Sequence, residues 1–312
     1  MKKEIAIGVD VGGSHVSCAA YNLKEKRIIP NTLSESDLDN HGTADEIFAI
    51  WGGVVKQTMD LVGAENVAGI GFAMPGPFDY PNGISRLSGE SGKYENTYGM
   101  DVPAELRKFL GLSNDFKIRF INDTTAFAIA EDQLGMAKDF SRSLSVALGT
   151  GFGSAFIKDG LPVVDGDEVP KHGCVWHLPF LDGIADDYFS TRGFIKRYKD
   201  GTGKEVSGVR EIAELAEKDS FALGLFTSYG ENMGKFLKPW IQKFNMEAFV
   251  IGGKVAKAYP LFGPSLTGYL EKENIHLQVF ISELMETAAF IGSATLIDDD
   301  FYEHVKPLLG KM

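Results

Sequence analysis

The sequence predicts an α/β fold with two related halves, and three observations support this prediction. The chain has 312 residues, and because a single core usually stops growing at about 250 to 300 residues, two domains are expected. Apolar strand segments alternate with segments of helical periodicity, as in layered α/β domains. A strand, a glycine-rich turn and a second strand occur at residues 5–21 and again at residues 144–157. Two copies of one pattern indicate a duplicated domain.

The elements of the first half follow from its hydrophobic pattern. Two apolar segments on either side of a glycine turn predict a hairpin at residues 4–21. A helix is expected after Thr43, an N-cap that can form a capping box with Glu46. The pattern then predicts, in order, a buried strand at 67–74, a long surface loop at 79–101, a short helix at 103–110, a strand at 117–121 and a helix from residue 123.

The second half opens on the similar hairpin at residues 144–157. An irregular segment follows at 163–183, and mostly helical segments then continue to residue 237. A buried strand at 248–251 ends at Gly252-Gly253, and a closing helix is expected from Glu286. Strands and helices therefore alternate to the end of the chain, as α/β layers require.

Charge and composition argue against several classes of protein. The chain carries 31 Lys and Arg against 43 Asp and Glu, a net charge of −12, which repels nucleic-acid phosphates where no basic cluster offsets it. The sequence has neither a long apolar run nor a signal-like segment. Only Cys18 and Cys174 could pair, which fits a reducing compartment. We therefore expect a cytoplasmic protein without nucleic-acid or membrane partners.

The first glycine turn combines a carboxylate with small residues. Asp10-Val-Gly12-Gly13-Ser14 lies between two strands, so backbone N–H groups could line a phosphate while Asp10 holds a hydrated Mg²⁺. A tight hairpin that needs glycine for its backbone conformation explains the same residues. Taken alone, the turn leaves both interpretations open.

Two more glycine turns follow apolar strands, at Gly149-Thr150-Gly151-Phe152-Gly153 and at Gly252-Gly253. Three such turns in order favour a nucleotide held by the chain. A Walker loop is excluded because no Gly-Lys pair is followed by Ser or Thr. The dinucleotide pattern also fails, since Ser154 stands where its third glycine belongs.

Asn122 and Asp123 stand at a strand-to-helix junction. A catalytic carboxylate would lie there if a substrate hydroxyl occupied a crevice at the strand ends. Asp is also a favoured helix N-cap, which is the commoner reason for its presence at such a junction. Both roles are compatible with the sequence.

The segment His172-Gly-Cys-Val-Trp-His177 places three possible metal ligands within six residues. A structural zinc site needs a fourth ligand and usually more cysteine, and only Cys18 remains elsewhere. We therefore expect no structural zinc. The segment is predicted to be a loop in which Trp176 packs and the histidines are hydrogen-bonded.

Five segments in order resemble the ROK family of sugar kinases and related proteins, which lies within the actin/hexokinase/Hsp70-type ATPase superfamily. They span nearly the whole chain: Asp10-Val-Gly-Gly-Ser14, Gly71-Phe-Ala-Met-Pro-Gly-Pro77, Asn122-Asp-Thr-Thr-Ala126, Gly149-Thr-Gly-Phe-Gly153 and Ile251-Gly-Gly253. Five motifs with compatible spacing are far more specific than any one of them.

The resemblance implies two similar ribonuclease-H-like domains, of the actin/hexokinase-type ATPase fold, with ATP and sugar in a central cleft. The N-terminal domain would comprise residues 1–120 and 290–312, and the C-terminal domain residues 121–289. Asp123 would be the catalytic base, and Asn122 would bind a sugar hydroxyl. A homodimer is implied by the resemblance alone. ATP would be held by three turns, with Mg²⁺ bound to Asp10 through water: Asp10, Gly12, Gly13, Ser14, Thr150, Gly151, Gly153, Gly252 and Gly253.

The chain departs from the family pattern at two points. Family kinases commonly carry Glu-x-Gly-His for sugar binding, whereas this chain has Cys174-Val-Trp-His177, which keeps only the histidine. The cysteine-rich zinc loop that usually follows is absent from the sequence. Glu168 lies close enough in sequence to replace the missing glutamate. It is therefore a candidate sugar-binding residue together with His177.

The leading hypothesis is an ATP- and Mg²⁺-dependent kinase of a sugar or sugar derivative. Family relatives that regulate transcription carry a helix-turn-helix before the kinase-like domain, whereas the first strand here begins by Glu4, so a regulator is not expected. A third hypothesis is a non-catalytic sugar- or nucleotide-binding sensor derived from a kinase. The altered Cys174-Val-Trp-His177 segment favours this third hypothesis, and the intact Asp123 favours the kinase.

Overall fold

In the computed structural model, which describes residues 3–88 and 93–312, the chain folds into two units. Unit 1 contains the described residues up to Ala130 together with Glu286–Met312, and unit 2 is Glu131–Met285. The first segment of unit 1 therefore runs past residue 120, the limit that the sequence suggests. None of the helices in the two described ranges has the length and hydropathy that a membrane span needs.

The helices and strands are numbered along the chain. In order they are β1 Ile5–Val11, β2 His15–Asn22, β3 Arg27–Ile28, β4 Ser34–Asp37, α1 Ala44–Val62, β5 Val67–Met74, β6 Phe78–Asp79, β7 Ile84–Ser85, α2 Val102–Leu110, β8 Lys117–Asn122, α3 Asp123–Gln133, β9 Arg142–Leu148, β10 Phe152–Lys158, β11 Leu161–Val163, β12 Pro179–Phe180, β13 Gly183–Ile184, α4 Ala185–Phe189, α5 Thr191–Thr202, α6 Val209–Leu215, α7 Ser220–Phe244, β14 Ala248–Gly252, α8 Tyr259–Lys272, β15 Gln278–Ile281, α9 Thr287–Thr295 and α10 Asp299–Leu309.

Unit 1 is built on a mixed sheet with the order β3-β2-β1-β5-β8, and β4 also pairs with β2. β1 and β2 form the predicted antiparallel hairpin, whereas β1, β5 and β8 run parallel. Asp10 pairs with Ala73 on β5, and Met74 pairs with Asn122 on β8. The carboxyl ends of these three strands therefore meet at one edge of the sheet.

The closing helix α9 lies directly on the unit 1 sheet. A β-carbon placed on Gly8 of β1 would come within 1.9 Å of the Phe290 carbonyl oxygen, and one on Gly71 of β5 within 1.8 Å of the Ser293 carbonyl oxygen. Side chains at these strand positions would push the helix away. Glycine at these two positions therefore permits the helix backbone to approach the strands closely.

Unit 2 repeats this arrangement with the strand order β11-β10-β9-β14-β15. β9 and β10 form an antiparallel hairpin, and β9, β14 and β15 run parallel. The same succession of one hairpin and two added parallel strands confirms the duplicated α/β domain that the sequence predicts. Helices α7 and α8 pack together over this sheet, on a core in which the rings of Phe152, Phe189 and Phe236 contact one another in tilted arrangements.

Local predictions in unit 1 are confirmed at α1 and need correction at the loop. Thr43 caps α1 and forms the capping box with Glu46. The segment predicted as a surface loop at 79–101 contains the β6–β7 hairpin, and its Tyr94 and Thr97 are fully buried. Its residues 89–92 lie outside the described residues. The many turn-forming residues suggested exposure, but the aromatic Tyr94 packs edge-on against Trp51, with ring centroids 5.3 Å apart.

Candidate active site

The first glycine turn is anchored from two sides within unit 1. Gly12 N–H donates to the His15 carbonyl at 2.9 Å, which closes the hairpin between β1 and β2. The Tyr94 hydroxyl donates to the Gly12 carbonyl, and the Asn40 amide donates to the Gly13 carbonyl. The tight hairpin therefore forms and uses the Gly12 N–H, but neither Gly12 nor Gly13 has a φ in the left-handed region, so the expectation that the hairpin needs glycine for its backbone conformation is wrong. The anchored carbonyls hold Gly13 and Ser14 in place beside Asp10.

The structure distinguishes Asn122 from Asp123 at the strand-to-helix junction, where the sequence leaves helix capping and a catalytic carboxylate both open. The Asn122 side-chain oxygen accepts from Thr125 N–H at 3.1 Å, three residues on, as an N-cap does. Asp123 is the first residue of α3, and its Oδ1 accepts from Thr124 N–H at 2.6 Å. The Asn122 amide also donates to the Tyr80 hydroxyl at 3.3 Å. Because Asn122 caps the helix, capping alone does not explain Asp123.

The carboxylates of this edge interact with one another. Burial, and then repulsion by Asp123 and Glu286, raises the pKa of Asp10 to about 7. Burial also raises the pKa of Asp123, while hydrogen bonds from Thr124 and the charge of Lys93 oppose that rise. Asp10 therefore lies where the negative charge of Asp123 and Glu286 disfavours its own ionisation, and such a position favours a cation.

The donor chemistry of this edge fits Mg²⁺, which prefers hard oxygen ligands. Within the residues that the structure describes, no group of three or more His, Cys, Asp or Glu could hold a metal ion directly. Mg²⁺ is usually bound by one or two carboxylates together with water and substrate phosphates. Asp10 is the residue that would hold it.

The second glycine turn, between β9 and β10 of unit 2, is fixed by the helices that follow. Phe152 N–H donates to Asp186 Oδ1 at 2.7 Å, and Thr191 N–H donates to the Gly149 carbonyl at 2.9 Å. Arg192 forms an ion pair with the other Asp186 oxygen at 2.7 Å. Within the turn, Gly149 N–H donates to the Gly151 carbonyl. Thr150, Gly151 and Gly153 are thereby held in a defined conformation.

The third turn, Gly252-Gly253, lies beside the second. Gly252 pairs with Ala147 on β9, one strand residue before the second turn begins. Gly253 has φ of 82°, and a β-carbon there would come within 2.4 Å of the Leu148 carbonyl oxygen. Only glycine combines this backbone conformation with so close an approach. The structure therefore brings the second and third glycine turns of unit 2 together.

His177 is linked to the second turn through α4. Asp186, whose side chain binds Phe152 N–H, donates its own N–H to the Trp176 carbonyl at 2.9 Å. Burial, and then the nearby His172 and Lys171, lowers the pKa of His177, so its imidazole is neutral at pH 7. Burial raises the pKa of Cys174 to about 11, and its thiol lies 3.7 Å from His177 Nδ1. The Trp176 ring packs edge-on against His177 with ring centroids 5.4 Å apart, but the side chain is 47% exposed, so the packing expected in the loop is limited to this contact.

Glu168 lies elsewhere in unit 2. Its carboxylate forms ion pairs with Arg142 at 2.5 Å and Lys158 at 2.8 Å. These two cations face each other at the end of the β9–β10 hairpin opposite the glycine turn. Hydrogen bonds from Lys158 and then Arg142 lower the Glu168 pKa. The structure does not bring Glu168 together with His177, and Glu168 is left out of the sugar site proposed below.

The residues predicted from the sequence therefore fall into two groups. Unit 1 groups the first glycine turn with Asn122 and Asp123, and unit 2 groups the two other turns with His177. Sequence reasoning missed the residues that form hydrogen bonds to the glycine turns or act electrostatically on Asp10 and Asp123. They are Asn40, Lys93, Tyr94, Asp186 and Glu286. A signal existed only for Lys93 and Tyr94, which lie in the loop predicted at 79–101, because loops of that length are often functional.

Comparison with known proteins identifies the family. The chain matches the ROK family over residues 6–300. A glucokinase of Thermotoga maritima is 25% identical over 328 aligned positions, which cover 96% of this chain and 99% of that protein. An N-acetyl-D-glucosamine kinase of Vibrio cholerae is 25% identical over 238 positions, which cover 69% of this chain and 73% of that protein.

A solved structure shows the same fold. The ROK hexokinase from Thermus thermophilus superposes with a TM-score of 0.76 at 20% identity, covering 96% of this chain and 99% of that chain. The fold is that of the actin/hexokinase-type ATPases. The chain belongs to the ROK family, and its enzyme class is that of the sugar kinases.

Proposed function

We propose that the chain transfers the γ-phosphoryl group of ATP to a hydroxyl of a sugar or sugar derivative, with Asp123 as general base. One observation carries the proposal. The desolvated Asp123 carboxylate lies at the sheet edge that also holds Asp10 and its glycine turn, and Asp10 and Asp123 repel each other electrostatically. Only β5 lies between their strands, β1 and β8. At the usual strand spacing, β1 and β8 are therefore about 10 Å apart.

The acceptor side of the reaction uses Asn122, Asp123 and His177. Asn122 is held by its cap to Thr125 and by Tyr80, so its amide can orient a sugar hydroxyl. A raised pKa makes Asp123 a better proton acceptor near neutral pH than an ordinary aspartate. His177, kept neutral, can accept or donate one hydrogen bond to a further hydroxyl.

The donor side uses the glycine turns. Thr150, Gly151 and Gly153 line the ATP phosphates, Gly252 and Gly253 lie toward the adenosine, and Gly13 and Ser14 offer backbone donors beside Asp10. Bound Mg²⁺, held by Asp10 through water, would neutralise charge on the phosphates. Phosphoryl transfer needs little covalent help from the protein, so positioned donors and charges supply most of the catalysis.

The sugar that is phosphorylated depends on the changed Cys174 segment. Family kinases carry a carboxylate at that position, whereas this chain carries a protonated thiol, since the Cys174 pKa is raised to about 11. A site that hydrogen-bonds a hydroxyl rejects an analogue that it cannot pair with. The accepted sugars therefore differ from those of relatives that keep the glutamate. A homodimer, which rests on the resemblance alone, and a cytoplasmic location, which rests on the low cysteine content, are further parts of the proposal.

The test is a coupled ADP-release assay with Mg²⁺-ATP against hexoses, N-acetylhexosamines and their epimers. Asp123→Asn is compared with Asp115→Asn, which changes an exposed aspartate two residues before β8. We expect sugar-dependent turnover by the wild type and Asp115→Asn, and a loss of about 10²- to 10⁴-fold in Asp123→Asn.

Two outcomes would contradict the proposal. Full turnover by Asp123→Asn would remove Asp123 as the base. Background turnover by folded wild-type protein across the panel, with ATP still bound in calorimetry, would replace the kinase with the non-catalytic sensor.

A further inference from the structure

Lys93 lies against the first glycine turn. A β-carbon placed on Gly13 would come within 2.7 Å of Lys93 Nζ and 2.9 Å of its Cε. The lysine side chain therefore crosses the Cα face of Gly13, and its ammonium group occupies space that only glycine leaves open. A positive charge thus lies on the turn to which ATP phosphates are assigned above.

The position of Lys93 is fixed by its neighbour in sequence. Tyr94 is fully buried, packs against Trp51 and donates its hydroxyl to the Gly12 carbonyl. Tyr94 N–H also donates to the Asn40 carbonyl at 2.8 Å. Tyr94 is thus attached through both its backbone and its side chain. The adjacent Lys93 therefore starts from a defined backbone position beside the turn.

The same ammonium group acts on the acidic edge of the sheet. The positive charge of Lys93 lowers the pKa of Asp123, against the effect of burial. The other charges at this edge are negative, because Asp123 and Glu286 both act on Asp10. Lys93 is therefore close to the glycine turn and to the proposed base at once. In a kinase, the transferring phosphoryl group passes between these two features.

We infer that Lys93 is a further catalytic residue, which binds the transferring phosphoryl group of ATP and stabilises its charge in the transition state. The inference rests on the proposed kinase function. In the step, the bond from phosphorus to the ADP oxygen breaks and a bond to the sugar oxygen forms. The sugar hydroxyl proton goes to Asp123, ADP leaves with the bonding electron pair, and Lys93 keeps its proton. A fixed cation at this point stabilises charge on the phosphoryl oxygens with little reorganisation.

The test compares Lys93→Met and Lys93→Gln with Lys93→Arg, which keeps the charge. Lys108→Met is the matched control, because Lys108 lies in unit 1 with a side chain that is 82% exposed. We expect kcat to fall about 10²-fold in Lys93→Met and Lys93→Gln, as for the loss of one transition-state donor. KM for the sugar stays within about threefold, Lys93→Arg restores part of kcat, and Lys108→Met matches the wild type.

A second measurement separates charge stabilisation from support of the loop. In the presence of sugar, the affinity for ADP with aluminium fluoride, a mimic of the transferring group, is compared with the affinity for ADP alone. We expect Lys93→Met to weaken the binding of ADP with aluminium fluoride by about the factor lost in kcat. The binding of ADP alone should be unchanged. A structural role would weaken both equally and lower the melting temperature.

The outcomes distinguish this inference from the function on which it rests. The role of Lys93 would be overturned if the wild type is active and kcat of both Lys93→Gln and Lys93→Met is within about threefold of the wild-type value. The proposed kinase function would then remain. The role of Lys93 would also be overturned if Lys93→Met weakens the binding of ADP equally with and without aluminium fluoride. A wild type without sugar-dependent turnover would overturn the proposed function and this inference with it.

Discussion

The Tyr94 hydroxyl donates a hydrogen bond to the Gly12 carbonyl, which is 82 residues away in the sequence. Tyr94→Phe removes this bond and keeps the ring that packs on Trp51. The net loss of one such bond is about 1 kcal/mol, so we expect KM for ATP to rise about fivefold while the fold is retained. Steady-state kinetics with varied ATP measure this effect.

Tyr98→Phe is the matched control, because Tyr98 follows in the same segment and is 56% exposed. It should leave KM for ATP unchanged. An equal KM for ATP in Tyr94→Phe and Tyr98→Phe would show that the bond does not support the glycine turn.

Asp186 is expected to hold the second glycine turn for ATP. Asp186→Ala removes the acceptor of Phe152 N–H and the partner of Arg192. Hydrogen bonds to charged groups contribute about 1.5 to 3 kcal/mol, so ATP affinity should fall at least about tenfold while sugar affinity is kept. Calorimetric titrations with each ligand test this. Asp187→Ala, on the same helix but bonded to Ile184 N–H, should keep ATP affinity, and a similar loss in both variants would contradict the assignment.

Gly253→Ala is expected to lower the stability of unit 2 by distorting the third glycine turn. The added β-carbon would meet the Leu148 carbonyl oxygen at 2.4 Å in a backbone conformation with φ of 82°. Both effects destabilise the fold, so we expect a lower unfolding midpoint in urea and loss of ATP binding. Gly268→Ala, in α8 with nothing within 4 Å of the new carbon, should stabilise the chain by about 0.5 to 1 kcal/mol. Equal midpoints for the two variants would refute the close approach.

Glu131 is expected to make stability depend on pH. Its side chain is fully buried, and burial raises its pKa above 4.5, although Ser282 and Met136 donate hydrogen bonds to it. The folded protein therefore binds this proton more tightly than the unfolded chain. Its contribution to stability is present below the unfolded pKa and is lost as pH rises through the folded pKa.

Glu131→Gln should remove this dependence. Urea unfolding between pH 4 and 8 should show a smaller fall in midpoint for the variant than for the wild type. Glu217→Gln, an exposed glutamate of unit 2, should keep the wild-type slope. A wild-type slope in Glu131→Gln would show that this carboxyl does not set the pH dependence.

Local sequence patterns were sufficient to predict the central strands of both sheets and the glycine turns, whereas the outer strands β3, β4, β11 and β15 were not predicted. Apolar runs such as residues 67–74 and 248–251 fill buried strands in both sheets, and hydrophobic burial dominates there. Asn122 and Asp123 were also predictable, because a polar pair that follows an apolar strand marks a strand-to-helix junction. The cap by Asn122 and the separate placement of Asp123 needed the structure.

Contacts between distant residues could not be predicted from local patterns. Sequence proximity suggested that Glu168 is near His177, but the β9–β10 hairpin carries Arg142 and Lys158 to Glu168 at its opposite end. The contact of Lys93 with Gly13 likewise depends on how the long loop packs. Charged side chains in loops have no periodicity, so their partners are determined only when the fold is formed.

Transfer of radioactive label from ATP to sugar is the sharpest test of Asp123 as the base of a sugar kinase. Wild-type protein and Asp123→Asn are incubated with γ-³²P-labelled ATP, Mg²⁺ and each sugar of the panel, and the products are separated. We expect labelled sugar phosphate from the wild type and at least about 10²-fold less from Asp123→Asn. Label that stays in ATP or appears only as inorganic phosphate, in folded wild-type protein across the panel, would contradict the proposed function.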